Sequence, residues 1–219
     1  MKFFKFFLLS ILWPTGIYCQ SEDVCHFQRV DIPRDESRLS ALAGLREWRC
    51  DYEFSRFSPY ALLIAEVYKD GACVGKYRLS YAVYDNTKKT KNGIISIGWQ
   101  KNTDTLVSVN DNGEFYSPWA ESIHLFDFQP VDAFFFSNSA PEKRKPEKKN
   151  AAYRDFELYP VVGICGARNL KIAYGDITTA KQFLSACWSA KAKNAVIIYL
   201  YMTDGGDPAM NFSKPVKPE

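Results

Sequence analysis

The chain has 219 residues, 47% of them apolar and 16% aromatic, enough to build one sizeable core, and its formal charge is +3. Most of that charge is local: Lys2 and Lys5 sit in an N-terminal leader, Pro141–Lys149 adds five cations against two acids, and the remainder is slightly acidic. Such a body lacks the basic face that a nucleic-acid footprint needs, so no nucleic-acid partner is expected.

Residues 1–21 have the layout of a secretory signal peptide. Lys2 and Lys5 form the basic start, Phe6 to Trp13 the apolar stretch, and Pro14-Thr15-Gly16 break it. The apolar stretch is shorter than the roughly 20 residues of a transmembrane helix, and no later stretch is long enough, so the chain is expected to be exported without a transmembrane span. A cut after Ser21 places Cys19 and Ser21 at the small-residue positions that signal peptidase favours. The rival is a lipoprotein leader ending before Cys19, whose lipidation would anchor the protein to a membrane. Gly16-Ile17-Tyr18-Cys19 matches such a signal poorly, because Tyr18 stands where a small residue belongs.

Residues 22–203 read as a single β-rich domain. Glu22 to Ile32 is a mixed stretch with edge-strand character, ended by Pro33. Leu39, Leu42 and Leu45 recur at helical spacing behind Asp35 or Ser37 as caps, which predicts a short helix. Trp48, Cys50, Tyr52 and Phe54 then alternate with Arg49, Asp51, Glu53 and Ser55, the period of a half-buried strand.

Ala61 to Tyr84 reads as a hairpin about Asp70-Gly71. A two-residue loop sets Tyr68 opposite Cys73 and Glu66 opposite Gly75, on the side carrying Tyr77 and Leu79, which buries a carboxylate without a partner. A three-residue turn with Gly71 as a bulge instead joins Leu63, Ala65 and Val67 to Cys73, Tyr77 and Leu79. Glu66 then lies opposite Val74, on the face of Lys76 and Arg78. The bulged register is expected, because an unpaired buried charge costs several kcal/mol.

Asp85–Asn92 is polar and reads as a loop, and Ile94 to Tyr116 reads as a three-strand meander. Ala133 to Phe136 is a short strand. Ser137–Asn150 holds two prolines, five cations and no large apolar side chain, and is expected to be a mobile basic loop. Phe156 to Ile164 and Leu170 to Tyr174 read as strands. Behind Asp176 or Thr178 as caps, Ala180, Phe183, Leu184 and Cys187 share one helical face within Thr178–Lys191. Ala195 to Met202 is apolar on both faces, as in a central covered strand. Residues 204–219 read as a loose tail. The whole predicts a mainly β fold, an antiparallel β-sandwich or partly open barrel with one α-helix packed on an edge or end near the C-terminus; an α+β sheet is the alternative.

Functional signals are sparse. In an exported chain the six cysteines suggest at most one or two disulfides, with Cys25–Cys50 and Cys165–Cys187 the candidate pairs and at least one cysteine of the mature body left unpaired or paired between chains. Neither His26 nor His124 has the flanking residues of a Cys/His nucleophile pair. There is no CxxC, HxxxH or HxH spacing, and Asn110–Glu114 lacks the end ligands of a calcium loop, so neither metal nor cofactor is expected. Trp99 and Trp119 are candidates for stacking on a ligand. The expected function is non-enzymatic binding of a protein or glycan in the cell envelope or extracellular space. The alternative is an exported hydrolase whose acids, such as Glu114, Glu121 and Asp127, converge only in the fold.

Overall fold

The computed structural model describes residues 25–54, 60–83, 91–100, 105–110, 115–116, 123–124, 132–148, 155–166, 177–203, 206 and 208–213. The chain begins with β1 (Cys25–Val30), α1 (Arg34–Leu42) and β2 (Leu45–Phe54), followed by the hairpin β3 (Tyr60–Lys69) and β4 (Ala72–Val83). Next come β5 (Lys91–Gln100), β6 (Thr105–Asn110), β7 (Phe115–Tyr116), β8 (Ile123–His124) and β9 (Asp132–Phe135). The last elements are β10 (Asn138–Ser139), β11 (Glu142–Arg144), β12 (Phe156–Cys165), α2 (Ala180–Ser189) and β13 (Asn194–Thr203).

These strands make two antiparallel sheets, which is the mainly β sandwich expected. One runs β10-β1-β2-β5-β6-β8, the other β11-β12-β13-β3-β4-β7, with β9 also paired to β12. The core between them follows from the period of two. Trp48, Cys50 and Tyr52 on β2 and Ile95, Ile97 and Trp99 on β5 face Leu63 and Ala65 on β3 and Val196, Ile198 and Leu200 on β13.

A third layer covers the outer face of the second sheet. The even positions of β3 and odd positions of β13, among them Leu62, Ile64, Ile197, Tyr199 and Tyr201, point away from the sandwich and pack with Phe183 and Cys187 of α2. β13 is therefore covered on both sides, as its unbroken apolar run implies. The helix lies on this face rather than on an edge or end. Thr179, not Asp176 or Thr178, is its N-cap, in a reciprocal capping box with Gln182.

The β3–β4 hairpin combines the two registers weighed from sequence. Asp70 (φ 47°) and Gly71 (φ 88°) form a two-residue loop with Tyr68 opposite Cys73. The extra residue enters next, at Val74, so Val67 faces Gly75 and Glu66 faces Lys76. The bulge thus sits beyond the turn instead of at Gly71, and it leaves Cys73 exposed rather than in the core.

Other expectations change more. The meander breaks after two strands: β5 and β6 stay in the first sheet, whereas β7 crosses to pair with β4. Within the stretch read as a mobile loop, the described residues 137–148 carry two short strands, β10 on β1 in one sheet and β11 on β12 in the other. Cross-strand hydrogen bonds and charge pairing order them where apolar burial does not. The tail is not loose over 208–213: Ala209 and Met210 are buried, and Ser213 bonds both backbone groups of Lys76. α1 forms, but Leu39 and Leu42 face outward at 68% and 85% exposure; an Arg49–Glu36 ion pair of 2.7 Å ties the helix to β2. The expected strand Leu170–Tyr174 lies outside the described residues.

Candidate functional site

The third layer contains a charged centre. Glu66 occupies an even position of β3, opposite Ile197 on one side and Lys76 on the other, and is only 1% exposed. An isolated carboxylate at such a site would cost several kcal/mol, so its partners decide whether the fold tolerates it. Its Oε2 accepts from the Tyr68 hydroxyl at 2.6 Å and from Arg144 Nη2 at 3.3 Å. Its Oε1 has no hydrogen bond, but Lys76 Nζ stands 3.9 Å away.

Arg144 reaches this centre from β11, the edge strand. Its Nη2 also donates to Glu142 Oε2 at 2.9 Å and to the Tyr199 hydroxyl at 3.1 Å. Glu142 is useful twice, since its Oε1 accepts the backbone N–H of Ala180 at 3.2 Å and so places a carboxylate at the N-terminus of α2. Lys76 passes the network on to Glu147, which accepts the Asn211 N–H at 3.1 Å. One chain of charges thereby joins the hairpin, the 137–148 segment, α2 and the C-terminal segment.

Protonation follows from these contacts. Burial, reinforced by the charge and hydrogen bond of Glu66, pushes the Tyr68 hydroxyl far above its usual range, and Tyr199 is raised by burial and by Glu66 as well. Both phenols are neutral donors at any physiological pH. Burial works against the Arg144 charge, but Glu66, Tyr199, Glu142 and Tyr68 together outweigh it and hold the guanidinium protonated. Glu147 is lowered, because the Lys76 and Asn211 contacts outweigh its partial burial.

Beside this centre lies a cleft of about 500 Å³. Tyr68, Tyr199, Glu142 and Arg144 form its sheet side, and Lys181, Leu184, Ser185 and Trp188 of α2 form its helix side. The volume falls within the range of small-molecule sites. Its groups suit a hydroxyl-bearing ligand: the amphipathic rings of Trp188 and Tyr68, a guanidinium fixed by its own partners, and the polar side chains of Lys181 and Ser185.

The residues singled out from sequence fall elsewhere. Trp99 is 6% exposed within the inter-sheet core and offers no stacking face. Trp119, Cys19, Glu114, Glu121 and Asp127 lie outside the described residues. Cys25 and Cys50 do not pair: Cys50 is a free thiol opposite Arg29, four residues along β1 from Cys25. That offset is about 13 Å, against the roughly 7 Å limit for a disulfide. Cys165 and Cys187 do meet, both as thiols in the outer layer. Among the described residues no group of His, Cys, Asp and Glu could hold a metal. No described helix is long and apolar enough to cross a membrane.

Sequence reasoning missed Arg144 because it stands in a lysine-rich run that reads as solvated. The signal was the alternation of Glu142 and Arg144 about Lys143, which puts both on one face of a strand. What results is an antiparallel β-sandwich carrying a helix and a polar aromatic cleft on one outer face. No family model matches this chain, and comparison with curated proteins and with solved structures finds no match either.

Proposed function

We propose that this is an exported, non-enzymatic β-sandwich protein that binds a glycan in the cleft between α2 and the sheet, in the cell envelope or extracellular space. The observation that carries the reading is the cleft itself, with Trp188 and Tyr68 beside a guanidinium immobilised by two carboxylates. Sugars present apolar C–H faces for rings to stack on and hydroxyls for fixed polar groups to bind, and a preorganised site loses little entropy in doing so. The leader over residues 1–21 supports export. Lipidation at Cys19 would hold the same binder at a membrane.

The test is retention of the purified protein on a panel of envelope and extracellular polysaccharides, with Trp188→Ala as control. Saturable retention that weakens at least tenfold in the variant is expected. Retention on none of them, together with a cross-linked protein partner from the native compartment, would replace the glycan by a protein ligand.

The hydrolase reading has one observation in its favour, the convergence of Glu66 and Glu142 on a single nitrogen. Arg144 stands between those carboxylates, where a glycosidic oxygen or a water would have to sit, so binding is the better account. Release of sugar products that Glu142→Gln abolishes, with retention intact, would reverse that ranking.

A further inference from the structure

We propose that Cys165 and Cys187 are a disulfide-forming pair whose oxidation ties α2, the helix wall of the cleft, covalently to β12. Three observations place the two sulfurs together. First, α2 lies close on β12 at Gly163, where an added Cβ would come within 2.6 Å of the Phe183 ring. Second, from that contact the two elements advance at nearly the same pitch: two residues along a strand cover about 6.7 Å and four along a helix about 6 Å. Phe183 over Gly163 therefore brings Cys187 over Cys165. Third, both residues belong to the same buried outer-layer cluster, at 1% and 0% exposure, close enough that each thiol acts on the other's ionisation.

No other described thiol competes for either partner. Cys50 lies in the inter-sheet core, on the far side of the second sheet, and Cys73 is exposed beside the hairpin turn. The pairing does not depend on what the cleft binds.

The chemistry is two successive thiol–disulfide exchanges with a low-molecular-weight disulfide such as oxidised glutathione. One cysteine thiolate attacks the small disulfide, forming a mixed disulfide and expelling one small thiolate. The second cysteine thiolate attacks the mixed disulfide at the protein sulfur, closing the Cys165–Cys187 bond and expelling the other. Two protein thiols are oxidised, two small thiols are formed, and the two cysteine protons end on them. Both sulfurs are buried and Cys187 is held in its thiol form by its contact with Cys165 and by burial, so exchange proceeds while α2 is undocked, as during folding.

The full chain refolded in oxidised glutathione, then denatured, alkylated and peptide-mapped without reductant, tests the pair. A Cys165–Cys187 cross-linked peptide that reduction splits is expected, with a Tm roughly 5–10 °C above that of the reduced protein. Alkylation of both cysteines as free thiols after oxidative refolding, or a link from either to another cysteine, overturns the proposal. Cys165→Ala should abolish both the cross-link and the redox difference in Tm; retention of the Tm difference in that variant assigns it elsewhere and also overturns the proposal.

Discussion

A carboxylate buried as deeply as Glu66 is tolerated only while its donors remain, and Arg144 is the closest cation. Arg144→Met leaves Glu66 with the Tyr68 hydroxyl and the more distant Lys76, and should destabilise the protein on the order of 3 kcal/mol, because the cost is that of an uncompensated buried charge. Glu66→Gln removes the charge but keeps an acceptor for Tyr68, and should cost about 1 kcal/mol. The double variant should be far less damaged than the sum of the singles, which urea unfolding with an unchanged m-value would register. Glu147 gives the network an acid limit. Its pKa is depressed in the folded chain, so its contribution is present above the unfolded carboxylate pKa and is lost as pH falls through the lower folded value. Unfolding at pH 7, 4.5 and 3 should show that loss in the wild type and a flatter profile in Glu147→Gln. Hairpin patterning put Glu66 on the face of Lys76 and Arg78, which is where it lies. It did not disclose that this face is covered, because a period of two separates faces without saying which of them meets water. Trp99 fails for the same reason in reverse, since an aromatic on an alternating strand looks identical whether it faces a ligand or a second sheet.

At the scale of elements, both helices were legible in the sequence, but which of them packs by its apolar face was not. Ala180, Phe183, Leu184 and Cys187 repeat at the spacing of one face, and three of them are buried against the sheet while Leu184 lines the cleft. Leu39 and Leu42 share the spacing but face outward, because α1 is held to β2 by charge rather than by its apolar side. What periodicity cannot supply is the distance of approach. For α2 that distance is fixed at Gly163, under a Phe183 ring that Phe134 and Phe136 hold from the side, with centroids 5.9 Å from each. Gly163→Ala should therefore push α2 off the sheet and cost about 1–3 kcal/mol, the usual range for overpacking a core. Adding Phe183→Ala should recover part of the loss relative to the sum of the two single variants, since the added methyl then has space. Thermal melts of the four proteins decide this, and strict additivity would mean that the contact does not set the helix position.

The molecule as a whole depends on segments that sequence composition marks as expendable. Residues 137–148 and 208–213 contain few large apolar groups, yet one pairs with both sheets and the other closes the charge network and meets β4 at Lys76. Their order comes from backbone pairing and ion pairs made across the fold, which no local window of sequence can reveal. β4 makes the consequence testable, because a long strand with open N–H and C=O groups is a template for association with another chain. Among the described residues, β7 covers its outer edge at Tyr81 and Ala82 and the C-terminal segment covers it at Lys76, where Arg78 also packs against the Phe212 ring. Deleting Pro208 onward removes the buried Met210 and Ala209, the Asn211 bond to Glu147 and both Ser213 bonds to Lys76. Loss of Met210 alone should cost about 2–4 kcal/mol, and the bared edge should favour self-association. The deletion should therefore both lower Tm and shift the light-scattering mass towards larger species than the full chain forms. Met210→Ala separates the two effects, because it should lower Tm while leaving the edge covered and the mass unchanged; a deletion that matched the full chain in both readouts would show that the segment contributes neither burial nor edge protection.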